Sequence, residues 1–164
     1  VIYIHYSLIM EKIIIGFGSN KGNREKNIKR AIKLIEKRIY IEKISSFFET
    51  KPEEKARGGK FLNGVIEGKT NLKAEELLYF LKCIEKKLGR KFPHQKGDER
   101  EIDMDIIFYG NKVIKNNFLQ IPHPKWKTRY FVLKPIFKIS PHFVDPVEKK
   151  SIKEIYEERK NGNF

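Results

Sequence analysis

One cysteine and one tryptophan are all that this 164-residue chain holds of those two residue types. With Cys83 alone, no disulfide framework can form within the chain, so a reducing compartment and a cytoplasmic location are expected. No Cys or His spacing around Cys83 suits a metal or redox pair, which leaves it a buried or chemically quiet role. Long apolar runs are missing as well. The opening VIYIHYSLIM falls well short of the ~20 apolar residues that a membrane-spanning helix needs. It also lacks the basic segment and small-residue cleavage site of a secretory signal. No membrane partner is expected, and residues 1–9 read as an N-terminal extension ahead of a single domain over 10–164. The chain has no repeat, linker or low-complexity block. It carries neither a Gly-Lys-Ser/Thr phosphate loop nor a full dinucleotide fingerprint, so Gly16–Asn23 is read as a structural turn.

What is abundant is positive charge and aromatic carbon. Thirty-five Lys and Arg stand against 21 acids, a net charge of +14. Such a balance attracts polyanions, among them nucleotide phosphates, nucleic acid and acidic lipid, without choosing between them. Much of it is Lys interleaved with Glu, as on solvated helix faces. Twelve Phe and seven Tyr within a 40% apolar composition supply a core without staples.

Hydrophobic periodicity sets out the elements. Ile13–Phe17 is a short apolar run that suits a buried strand, and Ile28, Ala31, Ile32, Ile35 and Ile39 stripe one helix over Arg24–Arg38. Tyr40–Glu49 and Phe61–Lys69 read as strands. Leu77, Leu78, Leu81, Ile84 and Leu88 stripe a second helix over Lys73–Leu88, which Gly89 stops. Ile102–Tyr109 is the strongest strand, and Gly110–Asn111 turns it onto a short partner at Val113–Ile114. Arg129–Ile139 and Ile152–Arg159 suit short helices. The order β-α-β-β-α-β predicts an α+β, ferredoxin-like sandwich in which one antiparallel sheet is covered by the two helix stripes.

The chemistry concentrates in Arg100-Glu101-Ile102-Asp103-Met104-Asp105. On a strand, Asp103 and Asp105 project to one face, with Cα atoms roughly 6.6 Å apart, while Ile102, Met104, Ile106 and Phe108 project to the other. Two close carboxylates suit divalent magnesium shared with substrate phosphates. A solvent-facing acidic pair on a half-exposed sheet is the alternative. Arg100 adds the positive charge that a phosphate site needs. In Ile121–Phe131, His123 and Arg129 can donate to phosphate oxygens or serve as a packed His and a surface Arg. Glu85 sits in the last turn of the second helix, where an acid opposes the helix dipole. That placement invites a functional role or an ion pair with a neighbouring Lys, and Arg90 follows the helix stop.

Taken in order, these pieces resemble the hydroxymethyl-dihydropterin pyrophosphokinase family. The resemblance runs from about Ile13 to Ile155 through Gly18-Ser19-Asn20, Ser45-Ser46-Phe47-Phe48-Glu49-Thr50-Lys51-Pro52, Phe61-Leu62-Asn63, Ile84-Glu85 with Gly89-Arg90, Arg100-x-x-Asp103-x-Asp105-Ile106, Pro122-His123 and Arg129-x-Phe131-Val132-Leu133-x-Pro135. It implies pyrophosphate transfer from ATP to a pterin alcohol with release of AMP, in folate biosynthesis. It implies two Mg2+ ions on Asp103 and Asp105, and Arg90 and Arg100 beside them as catalytic cations. Glu85, Arg90, Arg100, His123 and Arg129 would surround ATP. Thr50, Pro52, Phe61, Asn63, Asp103 and Phe131 would hold the pterin. Residues 51–60 and 91–99 would close over the substrates. The chain departs from the family pattern at Gly97-Asp98-Glu99-Arg100, where a tryptophan is frequent, and at Phe92 and Glu53.

Two other readings share part of this evidence. A basic RNA-binding module on the same fold would carry aromatics on the open face of the central strands, where this chain has Asp103 and Asp105. A different metal-dependent phosphoryl or nucleotidyl transferase would share the aspartates without the pterin pocket. The expected partners are therefore ATP and the pterin, with no nucleic acid, for a monomeric enzyme.

Overall fold

The protein is described from a computed structural model that covers residues 9–51, 59–91, 93 and 98–162. The expectations for residues 1–8, Pro52, Glu53, Phe92 and Gly97 fall outside the described residues.

Strand β1 (Glu11–Ser19) is followed by helix α1 (Arg24–Ile35), strands β2 (Tyr40–Ile44), β3 (Phe48–Thr50) and β4 (Phe61–Thr70), and helix α2 (Ala74–Lys87). Strand β5 (Asp103–Tyr109), strands β6 (Ile114–Lys115) and β7 (Gln120–Ile121), and helices α3 (Tyr130–Ile139) and α4 (Ile152–Asn161) complete the chain. The main sheet runs β2-β4-β1-β5, with every described pairing antiparallel and β3 alongside the first residues of β4. Counting β2 as the second strand and β4 as the third, this is the ferredoxin-like order expected from the sequence.

The predicted strand over Tyr40–Glu49 is broken in two. Its break is stitched by Ser45, whose N–H donates to the Val65 carbonyl at 3.0 Å and whose hydroxyl accepts from the Val65 N–H at 2.9 Å. The expected partner for β5 at Val113–Ile114 does not form. β6 pairs with β7 instead, as Ile114 with Ile121 and Lys115 with Gln120.

Both faces of the sheet are covered, not one. On one face Ile13, Ile15, Phe17, Ile66, Met104 and Ile106 pack against the stripes of α1 and α2, and Ile28, Ile35, Leu77 and Leu81 are essentially sealed from water. On the other, Ile14, Val65, Ile107 and Phe108 pack beneath Trp126, Leu133 and Ile136 of α3 and Ile152 and Ile155 of α4. Phe108 therefore lies opposite to the side that strict alternation predicts. Ile15 pairs with Ile106 and Ile14 with Phe108, so Ile107 is an extra residue, a bulge that reverses the side-chain parity. Gly16 stands beside the bulge, where a Cβ would crowd Ile107 Cδ1 at 3.3 Å.

Cys83 is exposed on α2, so of the two expected roles, buried or chemically quiet, burial does not hold. Among the described residues no helix is long and apolar enough to cross a membrane.

Candidate functional site

The C-terminal end of β1 and the N-terminal ends of β4 and β5 meet at one rim of the sheet, since Ser19 pairs with Leu62 and Gly18 with Asp103. The register lays Asn63, Gly18 and Asp103 in one row across three strands, and Val65, Gly16 and Asp105 in the next. Cross-strand partners share a face, so the two aspartates point together, as their spacing predicts, toward the side of α3. Gly18 has a steric reason in this row. A Cβ there would fall 2.8 Å from Asn63 Oδ1 and 3.3 Å from Phe61 Cδ1, so the bare backbone lets an amide and an aromatic edge close over β1. Asn63 is nearly buried, and its Nδ2 donates to Thr50 Oγ1 at 2.8 Å. Thr50, Phe61 and Asn63 are thus brought together beside Asp103.

Asp103 is the hub of a charge network. Its Oδ1 accepts from Arg90 and its Oδ2 from Arg100, both at 2.6 Å. Burial works to raise its carboxyl, but Arg100 and Arg90 outweigh that and hold it below the usual carboxylate range. Asp105 is more open, with 42% of its side chain exposed and His123 Nε2 at 3.9 Å. His123 is anchored by its N–H on the Ile107 carbonyl at 3.0 Å, and its Nδ1 accepts from the Lys125 N–H at 3.2 Å. Burial lowers its pKa below the ordinary value of 6.5, with Asp105 opposing. A neutral ring whose Nδ1 accepts carries its proton on Nε2, the atom that faces Asp105.

Glu85 takes its alternative reading, an ion pair with a neighbouring Lys, and its burial offers no face to a nucleoside. Its side chain is 0% exposed beneath the start of β5. Oε1 accepts from the Met104 N–H at 2.7 Å and from Lys82 Nζ at 3.0 Å, and Oε2 is bonded by Arg90. Burial pushes its carboxyl up, opposed by Lys82 and Arg90. The helix ends so that this can happen. Gly89 takes a φ of +116°, a backbone that disfavours side chains, and the chain doubles back until the Arg90 N–H reaches the Glu85 carbonyl at 3.0 Å. Lys82 was not picked out from the sequence, although its position one turn before Glu85 is a readable signal.

Arg129 stands at the N-cap of α3 with its guanidinium carbon 5.7 Å from the centre of the Phe131 ring. It reaches the same region as His123, which follows the cis Ile121–Pro122 bond. The predicted residues among those described therefore fall at or around one rim, with Glu85 as the buried support beneath it.

The donor set fits magnesium shared with a polyphosphate. No group of three or more His, Cys, Asp or Glu side chains able to hold a metal occurs among the described residues. Two carboxylates alone leave most of an octahedral shell to phosphate and water, the usual habit of this ion. Around them, Arg100 keeps a buried Nε without a hydrogen-bond partner, a donor that a phosphate oxygen would satisfy.

Comparison with known proteins agrees with this geometry. A family model described as 7,8-dihydro-6-hydroxymethylpterin-pyrophosphokinase (HPPK) matches residues 14–141. The chain is 40% identical over 145 residues to a 2-amino-4-hydroxy-6-hydroxymethyldihydropteridine pyrophosphokinase of Aquifex aeolicus, covering 88% of this chain and 90% of that one. It is 44% identical over 152 residues to the folic acid synthesis protein fol1 of Pneumocystis carinii, covering 92% of this chain but only 20% of that longer protein. Among solved structures, wild-type HPPK-DHPS of Plasmodium falciparum superposes with a TM-score of 0.72 at 17% identity, over 91% of this chain and 44% of that one. That last likeness establishes the fold.

Proposed function

The chain belongs to the 7,8-dihydro-6-hydroxymethylpterin-pyrophosphokinase family, and from that premise we propose how its rim of acids and cations works. The reaction is transfer of pyrophosphate from ATP to 6-hydroxymethyl-7,8-dihydropterin, with release of AMP, in folate synthesis. The hydroxymethyl oxygen attacks the β-phosphorus of ATP and gives up its proton to solvent, the bond from that phosphorus to the α,β-bridging oxygen breaks, and AMP departs. Such a transfer asks mainly for alignment and charge neutralisation.

The observation that carries the assignment of roles is the placement of Asp103 and Asp105 on one face, the first gripped by two guanidiniums and the second open. Asp103 and Asp105 would hold two magnesium ions, which would supply charge neutralisation at the transferring phosphates. Each Asp103 oxygen already accepts one bond and retains a lone pair, so metal and arginine can share it. Arg90 and Arg100 are the cations nearest the transferred group. His123, through its Nε2 proton, and Arg129 contact the remaining phosphates.

The pterin lies against the Asn63 amide, which reads its amide-like edge, with Phe61 and Phe131 offering ring faces. Thr50 orients Asn63, Asp103 faces the hydroxymethyl group, and Pro52 completes the pocket in the family resemblance. An RNA-binding use of the sheet has less support. The face that would stack bases is sealed by α3 and α4.

The test is the nucleotide product. Incubation with ATP, magnesium and hydroxymethyl-dihydropterin yields AMP under this reading, whereas ADP would exclude it. Asp105→Ala is expected to abolish turnover while thermal unfolding stays near that of the wild type, since among the described residues the side chain makes one long polar contact. Near-normal turnover in that variant refutes the metal assignment.

A further inference from the structure

We propose that Asn20 is a positioning residue that sets the reach of Arg100, a role that rests on the functional reading above. Arg100 lies in an irregular stretch just ahead of β5, where no strand ladder fixes its backbone. Its peptide groups are instead held from the end of β1. The Asn20 N–H donates to the Arg100 carbonyl at 3.0 Å, and the Arg100 N–H donates to Asn20 Oδ1 at 2.7 Å. A single residue thereby grips both the donor and the acceptor of Arg100 and fixes its two backbone dihedrals together. Asn20 is itself 5% exposed, two residues beyond the Gly18 that pairs with Asp103. The origin of the Arg100 side chain and the carboxylate it meets at 2.6 Å are therefore referenced to the same strand.

The neighbouring residues repeat the tie. Lys21 Nζ lies 2.8 Å from Glu101 Oε1, and Glu101 in turn packs over Gly89, where a Cβ would stand 3.2 Å from its carboxyl carbon. The turn after β1 is thus joined to the segment carrying Arg100 and to the helix stop that carries Arg90. The turn at Gly16–Asn23, which lacks a phosphate-loop signature, thus holds the backbone from which Arg100 extends.

A guanidinium misplaced by about 1 Å can cost about 10²-fold in rate. Asn20→Ala is expected to lower kcat roughly 30-fold while the KM values for ATP and the pterin change less than about threefold. Asn20→Asp keeps an oxygen for the Arg100 N–H, and the Nδ2 it replaces is buried without a partner. It is therefore expected to retain at least about a third of the wild-type kcat.

The deciding measurement is a double-mutant cycle. If Asn20 acts through Arg100, the double variant Asn20→Ala/Arg100→Ala matches Arg100→Ala within about twofold, because the residue has nothing left to position. Multiplicative losses, an effect confined to KM, or an Asn20→Asp variant as slow as Asn20→Ala each overturn the proposal. Should Asn20→Ala not fold, the cycle is run with Asn20→Ser and interpreted in the same way. Failure of the wild type to form AMP sinks the functional reading, whereas AMP formation with independent Asn20 and Arg100 losses sinks this inference alone.

Discussion

Glu85→Ala should be among the most damaging single substitutions in this protein, and the structure says by how much. The carboxylate is wholly buried and serves Met104 N–H, Lys82 and Arg90 at once. Removing it leaves the Arg90 guanidinium, itself 7% exposed, with Asp103 as its acidic partner. Deleting one member of a buried ion pair costs about 3–5 kcal/mol. The buried Met104 amide loses its side-chain acceptor, a penalty of about 1–3 kcal/mol. Lys82 is partly exposed and adds little. These penalties overlap, because both arise from the same vacated space, and about 4 kcal/mol is the expected total. For a chain of this size each kcal/mol moves the midpoint by roughly 2–4 °C, so thermal unfolding should begin about 8–16 °C earlier. Glu85→Gln keeps one acceptor but turns an NH2 toward a second donor, and should cost less, about 1–2 kcal/mol. Urea unfolding followed by circular dichroism measures both variants. A loss below about 1 kcal/mol for the alanine variant would mean that Glu85 does not support the rim as described.

Two other outcomes are expected, one from packing at Gly64 and one from the protonation of His123. Gly64→Ala would place a methyl 2.5 Å from Phe17 Cζ and 3.1 Å from Ser45 Oγ, with Phe17 already edge-on to Phe47 at 5.6 Å. It should lose about 1–3 kcal/mol in urea, while activity per folded molecule survives, since the methyl points away from the aspartates; unchanged stability refutes the packing. The His123 ring is held neutral by burial, below its ordinary 6.5. Its contribution to stability is present above that ordinary value and lost as pH falls through the folded one. Between pH 7.5 and 5 the wild-type urea midpoint should therefore drop further than that of His123→Gln, and the reverse order would contradict the assignment.

The parts of this architecture that repeat a simple period were legible before any coordinates. The helix stripes at Ile28–Ile35 and Leu77–Leu88 and the side-by-side aspartates follow directly from spacings of three to four and of two. Departures arose where a single residue alters the period or where long-range pairing decides. Nothing local marks Ile107 as a bulge; it emerges only in the pairing with β1, where Gly16 leaves room for its side chain. The pairing of β6 with β7 rests on the Asn116 turn, whose Oδ1 accepts from the Phe118 and Leu119 amides at 2.9 Å. The burial of Glu85 was hidden because its three donors come from different places: one turn back on the helix, past the helix stop, and from β5. Asn20 was passed over for a similar reason. Its partner lies eighty positions away, beyond the reach of motif and periodicity alike.

All of the reactive groups gather where β1 ends and β5 begins, and that segregation has a practical reading. The opposite margin, from Glu11 and Thr70 to the turn at Gly110, bears none of the assigned groups. β5 spans seven residues between the two margins, a distance of roughly 20 Å. Extra sequence grafted at the Gly110 turn would sit five residues along the chain from Asp105 and seven from Asp103, roughly 15 Å or more from either carboxylate. The fold thus has a working end and a handle, and additions belong on the handle.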